Sequence, residues 1–297
     1  MSQQERHTRR SRISRWSGAL YVAPSFLILL VIAVVPIICS IYFSFTDYDI
    51  FSSPQFTGLD NYKDLFADAN FWNALKITII FTVISVPLQL LIALGIAEVL
   101  SKTKHRRLSS IMRSLLFVPA IASLVIVGAV WKYLLAADSG LFNIWLSALG
   151  LNTVNFLGNP GMALLSVALV SVWKGIGYYL VFFYAGVLDI PRDYYEAAEI
   201  DGASRLQQFF NITLPSLRPI ILLCLILATI GSFQVFDLVY VMTGGGPGGA
   251  TTTIVMLIYQ AGFENFRMGY ASAIAMILML FIIAASVIQN RIMKEKD

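Results

Sequence analysis

Six apolar runs, each long enough to cross a bilayer, are the feature that most restricts how this 297-residue chain can fold. They extend from Leu20 to Phe45, Phe71 to Val99, Ile111 to Leu135, Met162 to Leu188, Ile220 to Met242 and Met268 to Ile288. About 20 residues suffice for a helical crossing. Hydrocarbon offers no partner to a backbone N–H or C=O, so each run is expected as a helix, which closes its hydrogen bonds internally. A membrane barrel would need apolar and polar positions in alternation. Runs such as Leu27-Ile28-Leu29-Leu30-Val31-Ile32 do not alternate. Composition agrees: 58% of residues are hydrophobic and 13% charged, against about 25% charged in soluble domains. A disordered chain, a disulfide-stapled secreted domain and a nucleic-acid binder are all excluded on the same grounds.

The formal net charge of +4 conceals a strong asymmetry. Lys and Arg near the ends of spans favour the cytoplasmic side. Arg6, Arg9, Arg10, Arg12 and Arg15 precede the first run, and Lys102, Lys104, Arg106, Arg107 and Arg113 join runs two and three. Arg192, Arg205 and Arg218 lie between runs four and five, and Arg291, Lys294 and Lys296 follow the sixth. These are 16 of the 21 basic residues, and all fall on one side of a six-span alternation. The opposite side has Lys63, Lys132 and Arg267; Lys76 and Lys174 fall inside runs. Both termini are therefore expected in the cytoplasm. The first run is too long for a signal-peptide core and no small-x-small cleavage site follows it, so it reads as a retained span.

Chemistry-bearing residues are sparse. Cys39 and Cys224 both fall in runs, which indicates neither a disulfide framework nor a metal cluster. His7 and His105 sit in basic segments and read as solvated. The Gly244-Gly245-Gly246-Pro247-Gly248-Gly249 segment lacks the Lys-Ser/Thr pair of a phosphate-binding loop and reads as a turn. The connection from Thr46 to Asn70 contains Asp47, Asp49, Asp60, Asp64 and Asp68 against Lys63. A solvated acidic loop accounts for it, with a partner-docking surface as the alternative. Glu98 is expected to pair with the adjacent basic segment.

The connection from Asp189 to Arg218 departs from this pattern. Five acids, Asp189, Asp193, Glu196, Glu199 and Asp201, interrupt an otherwise basic side. Pro191 stops the preceding span. Asp193 is expected to cap a new helix, with Glu196 in capping-box register. Ala197 and Ala198 favour helix and keep a face low, and Gly202 is placed to end it. Leu206, Phe209, Phe210, Ile212 and Leu214 then return the chain to the membrane, with Pro215 and Pro219 shaping entry into span five. Such a short capped helix fits a knob that docks into a partner, and it fits a plain interfacial connector equally well.

The order Glu196-Ala197-Ala198, Asp201-Gly202-Ala203, Phe209, Ile212, Leu214-Pro215 and Pro219 resembles the EAA loop of binding-protein-dependent ABC importer permeases. Trp173-Lys174, Phe233-Gln234-Val235-Phe236-Asp237 and Thr243-Gly244-Gly245-Gly246-Pro247 are similar to its carbohydrate-uptake branch, of the MalF/UgpA type. The resemblance implies an all-α integral membrane protein with six transmembrane helices and a cytoplasmic coupling helix between spans four and five. The expected organisation is a basic tail over 1–17, a permease domain over 18–290 with its coupling loop at 189–219, and a cytoplasmic tail over 291–297. It further implies a bacterial or archaeal plasma (inner) membrane location and an ATP-driven importer that translocates a sugar or oligosaccharide.

The implied partners are a second homologous permease, two ATPase subunits and an extracytoplasmic solute-binding protein. The chain itself would be no enzyme and bind no cofactor; ATP and Mg would be held by the ATPase partners. Glu196, Ala197, Ala198, Asp201 and Gly202 would be the coupling positions. The connections here are all short, without the large external insertion of the maltose member.

For the solute pathway, Gln234 with Phe233, Phe236 and Trp173 combines an amide for hydroxyls with aromatic faces for a pyranose. Lys174 and Asp237 are embedded polar groups, either in interhelix contacts or in contact with solute. Glycerol-3-phosphate or a polyol would use the same machinery. An ion-coupled secondary transporter would need midplane carboxylates and internal repeats, and neither is visible.

Overall fold

The computed structural model describes residues 21–103 and 106–293. The basic tail with Arg6, Arg9, Arg10, Arg12, Arg15 and His7, then Lys104 and His105, and finally Lys294 and Lys296, lie outside the described residues. Four helices are long and apolar enough to cross a membrane: α1 (Tyr21–Phe43), α3 (Ala69–Ser101), α7 (Pro160–Asp189) and α13 (Met268–Met293). Two strands, β1 (Thr46–Asp47) and β2 (Gln55–Phe56), pair antiparallel ahead of α2 (Asp60–Ala67). The remaining helices are α4 (Arg106–Ile121), α5 (Leu124–Leu134), α6 (Leu141–Ala148), α8 (Arg192–Ile200), α9 (Arg205–Ser216), α10 (Arg218–Phe233), α11 (Asp237–Met242) and α12 (Ile254–Tyr259). Side chains start the two central long helices. Asp68 accepts the Asn70 N–H ahead of α3, and Asn159 accepts the Gly161 and Met162 N–H groups ahead of α7. Wide π turns at Leu30–Val34 and Phe209–Thr213 come just before Pro36 and Pro215. A proline ring crowds the carbonyl four residues back and leaves it without its donor, and a wider turn relieves both problems.

The third and fifth apolar runs are not single straight helices. The run from Ile111 to Leu135 breaks at Ala122–Ser123, where the two halves bend by 98°. The run from Ile220 to Met242 ends its helix at Phe233, and α11 starts at Asp237 after a break. At the other end α9 meets α10 with a 69° bend. The described residues thus hold four helices long and apolar enough to cross a membrane, and up to six crossings if each bent pair is one span.

By compactness the chain divides into two units. Among the described residues, the first comprises 21–65 and 261–276. Within it Asn61 donates to the Ser44 and Thr46 carbonyls, and Tyr62 bonds the Ser44 hydroxyl, which ties α2 to the short ladder. Residues along α1 are exposed, as befits a helix that meets lipid or another subunit. The second unit, residues 66–260 and 277–297, contains two apolar clusters. One joins Val86, Leu90, Ala93, Ala97 and Leu100 of α3 to Leu180, Phe183 and Val187 of α7 and to Cys224 and Ala228 of α10. The spacing of three and four residues is that of one helical face. The other cluster joins Phe81, Val167 and Val170 to Leu238, Val239 and Met242 of α11.

Small residues let these helices approach closely, since packing and not water exclusion drives association in lipid. At Gly177 an added Cβ would lie 2.0 Å from the Leu116 carbonyl oxygen, so α4 runs against the bare backbone of α7. Gly177→Ala is therefore expected to destabilise the purified protein by about 1–3 kcal/mol, the usual range for overpacking. Gly95→Ala, with nothing within 4 Å of its added carbon, serves as the neutral control. Thermal unfolding in detergent checks both.

Candidate functional site

The acidic connection forms α8, a helix of nine residues. Its N-cap is Pro191 and no side chain caps it; Asp193 lies one position inside the first turn, so the expected Asp193 capping box is absent. Proline already fixes the required turn, and Asp193 acts instead as a negative charge at the positive end of the helix dipole. The C-terminus is as expected. Gly202 has φ +78°, the Ala203 N–H reaches the Ala198 carbonyl at 2.8 Å, and the Gly202 N–H reaches Glu199 at 3.1 Å. That pair of bonds is the Schellman closure, which needs a left-handed residue at this position. A second device went unread in the sequence. Ser204 and Gln207 form a reciprocal capping box that starts α9.

The two faces of α8 differ in role. Asp193, Glu196, Ala197 and Ile200 follow the spacing of one helical face, and all four are exposed, Ile200 at 87%. Tyr195 and Ala198 lie on the other face and are half-buried. The Tyr195 ring packs beside the core cluster, and its hydroxyl and that of Thr213 are 2.8 Å apart. Of the five coupling positions, Glu196 and Ala197 thus face outward, Ala198 faces inward, and Asp201 and Gly202 close the helix. Ile200, between Glu199 and Asp201, is the large exposed apolar side chain of that outward face.

A second site was anticipated only at Lys174. A cleft of about 300 Å3 opens between α3, α7, α10 and the break that separates α4 from α5. Gln89, Ser171, Lys174, Tyr178 and Ser232 supply its polar groups, and Gly175, Ala228 and Gly231 keep its walls low. Gln89 is buried, and a Cβ at Gly175 would sit 2.3 Å from its Oε1 atom, so the amide lies against the bare backbone of α7. The Lys174 ammonium donates to the Ala120 carbonyl at 3.0 Å. Ser85 and Ser232 hydroxyls meet at 3.3 Å deeper in the wall.

None of the five residues expected on the pathway lines this cleft. Trp173 packs edge-on against Trp131 at 5.4 Å, and Phe236 stacks on Tyr240 at 5.3 Å. Phe233 is buried, Gln234 is exposed at the end of α10, and Asp237 opens α11. Trp173 and Phe233 are chain neighbours of the cleft residues Lys174 and Ser232. One position along a helix rotates a side chain by roughly 100°, which is enough to point it elsewhere.

The family of binding-protein-dependent transport system inner membrane components matches residues 78–295. The chain belongs to that family. Relatives along nearly the whole length include the trehalose/maltose transport system permease protein MalF of Thermococcus litoralis, 33% identical over 93% of this chain and 92% of the relative. The sulfoquinovosyl glycerol transport system permease protein SmoG of Agrobacterium fabrum is 34% identical over 95% of this chain and 92% of its own. The same fold occurs in a bacterial alginate ABC transporter solved with an alginate pentasaccharide-bound periplasmic protein (TM-score 0.84, 24% identity, 96% of this chain and 98% of that one).

In this ABC permease three ion pairs lie outside the cleft among the described residues. Glu98 has both carboxylate oxygens buried and pairs with Lys102, as its position by the basic segment predicted. In the first connection, Asp60 pairs with Lys63 at 2.7 Å and Asp64 with Arg267 at 3.4 Å. The Asp60 carboxylate holds the Lys63 ammonium above its ordinary pKa, and bonds from Ser52 and the Phe51 backbone hold Asp49 below its own.

Lys174 has a different task. The break after Ile121 strips the last turn of α4 of its continuing donors, and an ammonium at a helix C-terminus meets both the orphan carbonyls and the dipole. Lys174→Met is expected to lower the thermal stability of the permease, whereas Lys174→Arg, which can still donate, retains most of it. Unfolding midpoints of the three purified proteins decide.

Proposed function

We propose that this permease is one of two transmembrane subunits of an ATP-driven importer, and that the solute is a saccharide delivered by an extracytoplasmic binding protein. The observation that carries the coupling role is the exposed face of α8, which offers Asp193, Glu196, Ala197 and Ile200 to a partner while its other face is tied to the core. Two ATPase subunits would hold ATP and Mg, and a second homologous permease would complete the pathway. This chain would supply no catalytic group and bind no cofactor. The orientation with α8 in the cytoplasm rests on the 16 of 21 basic residues assigned to that side.

For the solute, the cleft around Gln89 is the better candidate. Its amide makes no side-chain hydrogen bond among the described residues and is free to serve a hydroxyl. Ser171, Tyr178 and Ser232 offer further donors and acceptors, and a few placed polar groups on low walls suit a polyhydroxyl ligand. Relatives named for trehalose/maltose, sulfoquinovosyl glycerol and lactose transport support a saccharide. A phosphorylated polyol is the second reading, favoured by the Lys174 ammonium in the same cleft and by a relative named for sn-glycerol-3-phosphate transport. Engagement of that ammonium by Ala120 weighs toward the neutral sugar.

Transport requires that ATP-driven closure bias two arrangements of the helices. The coupling assignment is tested by Glu196→Lys and Gly202→Val in the complex purified with co-expressed partners. Both are expected to lose ATPase subunits on purification and to lose solute-stimulated ATP turnover. The second should act through the lost left-handed closure, which costs a non-glycine residue about 1–2 kcal/mol. Undiminished assembly and turnover in both would remove the assignment. Uptake that survives ATP depletion with ion gradients intact would instead identify an ion-coupled carrier.

A further inference from the structure

A second cleft, of about 380 Å3, lies where the ends of α3 and α7 meet the inner face of α8 and the start of α9. Lys102, Arg192 and Arg205 line it, against one acid, Glu199. Lys102 is engaged by Glu98 and lies 5.9 Å from the centre of the Tyr195 ring. Arg192 and Arg205 make no ion pair among the described residues. Two unpaired guanidinium groups at the rim of one cavity leave it short of negative charge. Guanidinium forks bind phosphate oxygens in pairs, and such charge-assisted bonds are the strong ones.

The rest of the lining says what bears the phosphate. Val187 and Ile190 form an apolar wall, and Leu188 beside them is 59% exposed. Val99, just before the end of α3, is 67% exposed. Both are the last apolar turns of membrane spans, so a hydrocarbon surface adjoins a cationic cavity at headgroup depth. A soluble anion would need only the charges; an acyl chain needs that wall. The outward face of α8, with Asp193, Glu196, Ala197 and Ile200, is turned away from this cavity, so a protein docked there leaves it open.

We infer that this cleft seats the phosphate headgroup of an anionic membrane phospholipid, held by Arg192 and Arg205 with its chains along Leu188 and Val99. Basic pockets at span ends are suited to such headgroups, each Lys or Arg contributing about fivefold in affinity. The site stands apart from the solute reading, because its readout is lipid retention and not uptake.

The test is native mass spectrometry of the detergent-purified complex of the full-length chain with its co-expressed partners, titrated with phosphatidylglycerol and with phosphatidylcholine. Preferential retention of phosphatidylglycerol is expected, weakened about fivefold by Arg192→Gln and again by Arg205→Gln. Arg192→Lys should retain most of the preference, and Lys63→Gln, on a different connection, all of it. Equal retention of the two lipids, or a preference untouched by both glutamine variants, overturns the proposal. Displacement of phosphatidylglycerol by an equal concentration of inorganic phosphate would make the ligand a free anion and overturn the lipid assignment. Loss of the ATPase subunits from the glutamine variants with lipid affinity unchanged would assign the cavity to an acidic segment of that partner, which also overturns it.

Discussion

A carbonyl or N–H without a partner inside hydrocarbon is too costly to keep, and the shape of this permease follows from how it avoids that cost. The long helices α3 and α7 avoid most of it by closing their bonds internally, with Pro87 inside α3 having no N–H to give. The bent spans cannot. At the break after Ile121, Lys174 reaches across from α7 to the Ala120 carbonyl. Where α10 gives way to α11, Thr253 donates to the Val235 carbonyl at 3.0 Å. The glycine-rich turn that follows is tied by Thr251 to the Gly246 carbonyl and by Thr252 to that of Gly245. Broken helices are tolerated in membranes where other protein groups take up the freed backbone, and such breaks commonly adjoin binding sites. Here the first break forms one wall of the Gln89 cleft.

The sequence made the spans legible because hydropathy depends on length and apolarity, both of which survive bending. It concealed the bends for the same reason. Ala120-Ile121-Ala122-Ser123 and Phe233-Gln234-Val235-Phe236 contain nothing polar enough to interrupt an apolar window. Pro119, one turn before the first break, was the available signal. The end of α8 was readable because one residue type, glycine, suits its conformation. Its start was misassigned because Pro191 and Asp193 both favour a helix start, and the proline, two residues earlier, prevailed. The Ser204–Gln207 box is the familiar spacing, masked by the apolar residues that follow it.

The expected short helix is present, but Ala197 is exposed and Ala198 half-buried, so the two lie on different faces. Adjacent residues in a helix cannot share a surface, so a motif read as a string mixes residues that meet a partner with residues that hold the helix in place. The same limit explains the pathway residues. Trp173 and Phe233 each lie one position from a residue that lines the Gln89 cleft, Lys174 on α7 and Ser232 on α10. Gln89 escaped notice because a single amide in α3 reads as a tolerated interruption until the bare backbone at Gly175 is seen opposite it.

The closed ends of α8 also determine its mechanics. With nine residues it is a rod about 14 Å long, fixed in length by the Schellman bonds at one end and by Pro191 at the other. Among the described residues its side-chain hydrogen bond to the neighbouring helix is the one between Tyr195 and Thr213, beside the packing of the Tyr195 ring on the core. The chain also holds it at both ends, through Pro191 to α7 and through Gly202 to α9. A load on its exposed face would therefore reach α9 by two routes, along the chain through Gly202 and through Tyr195 to Thr213, the last residue of the π turn within α9.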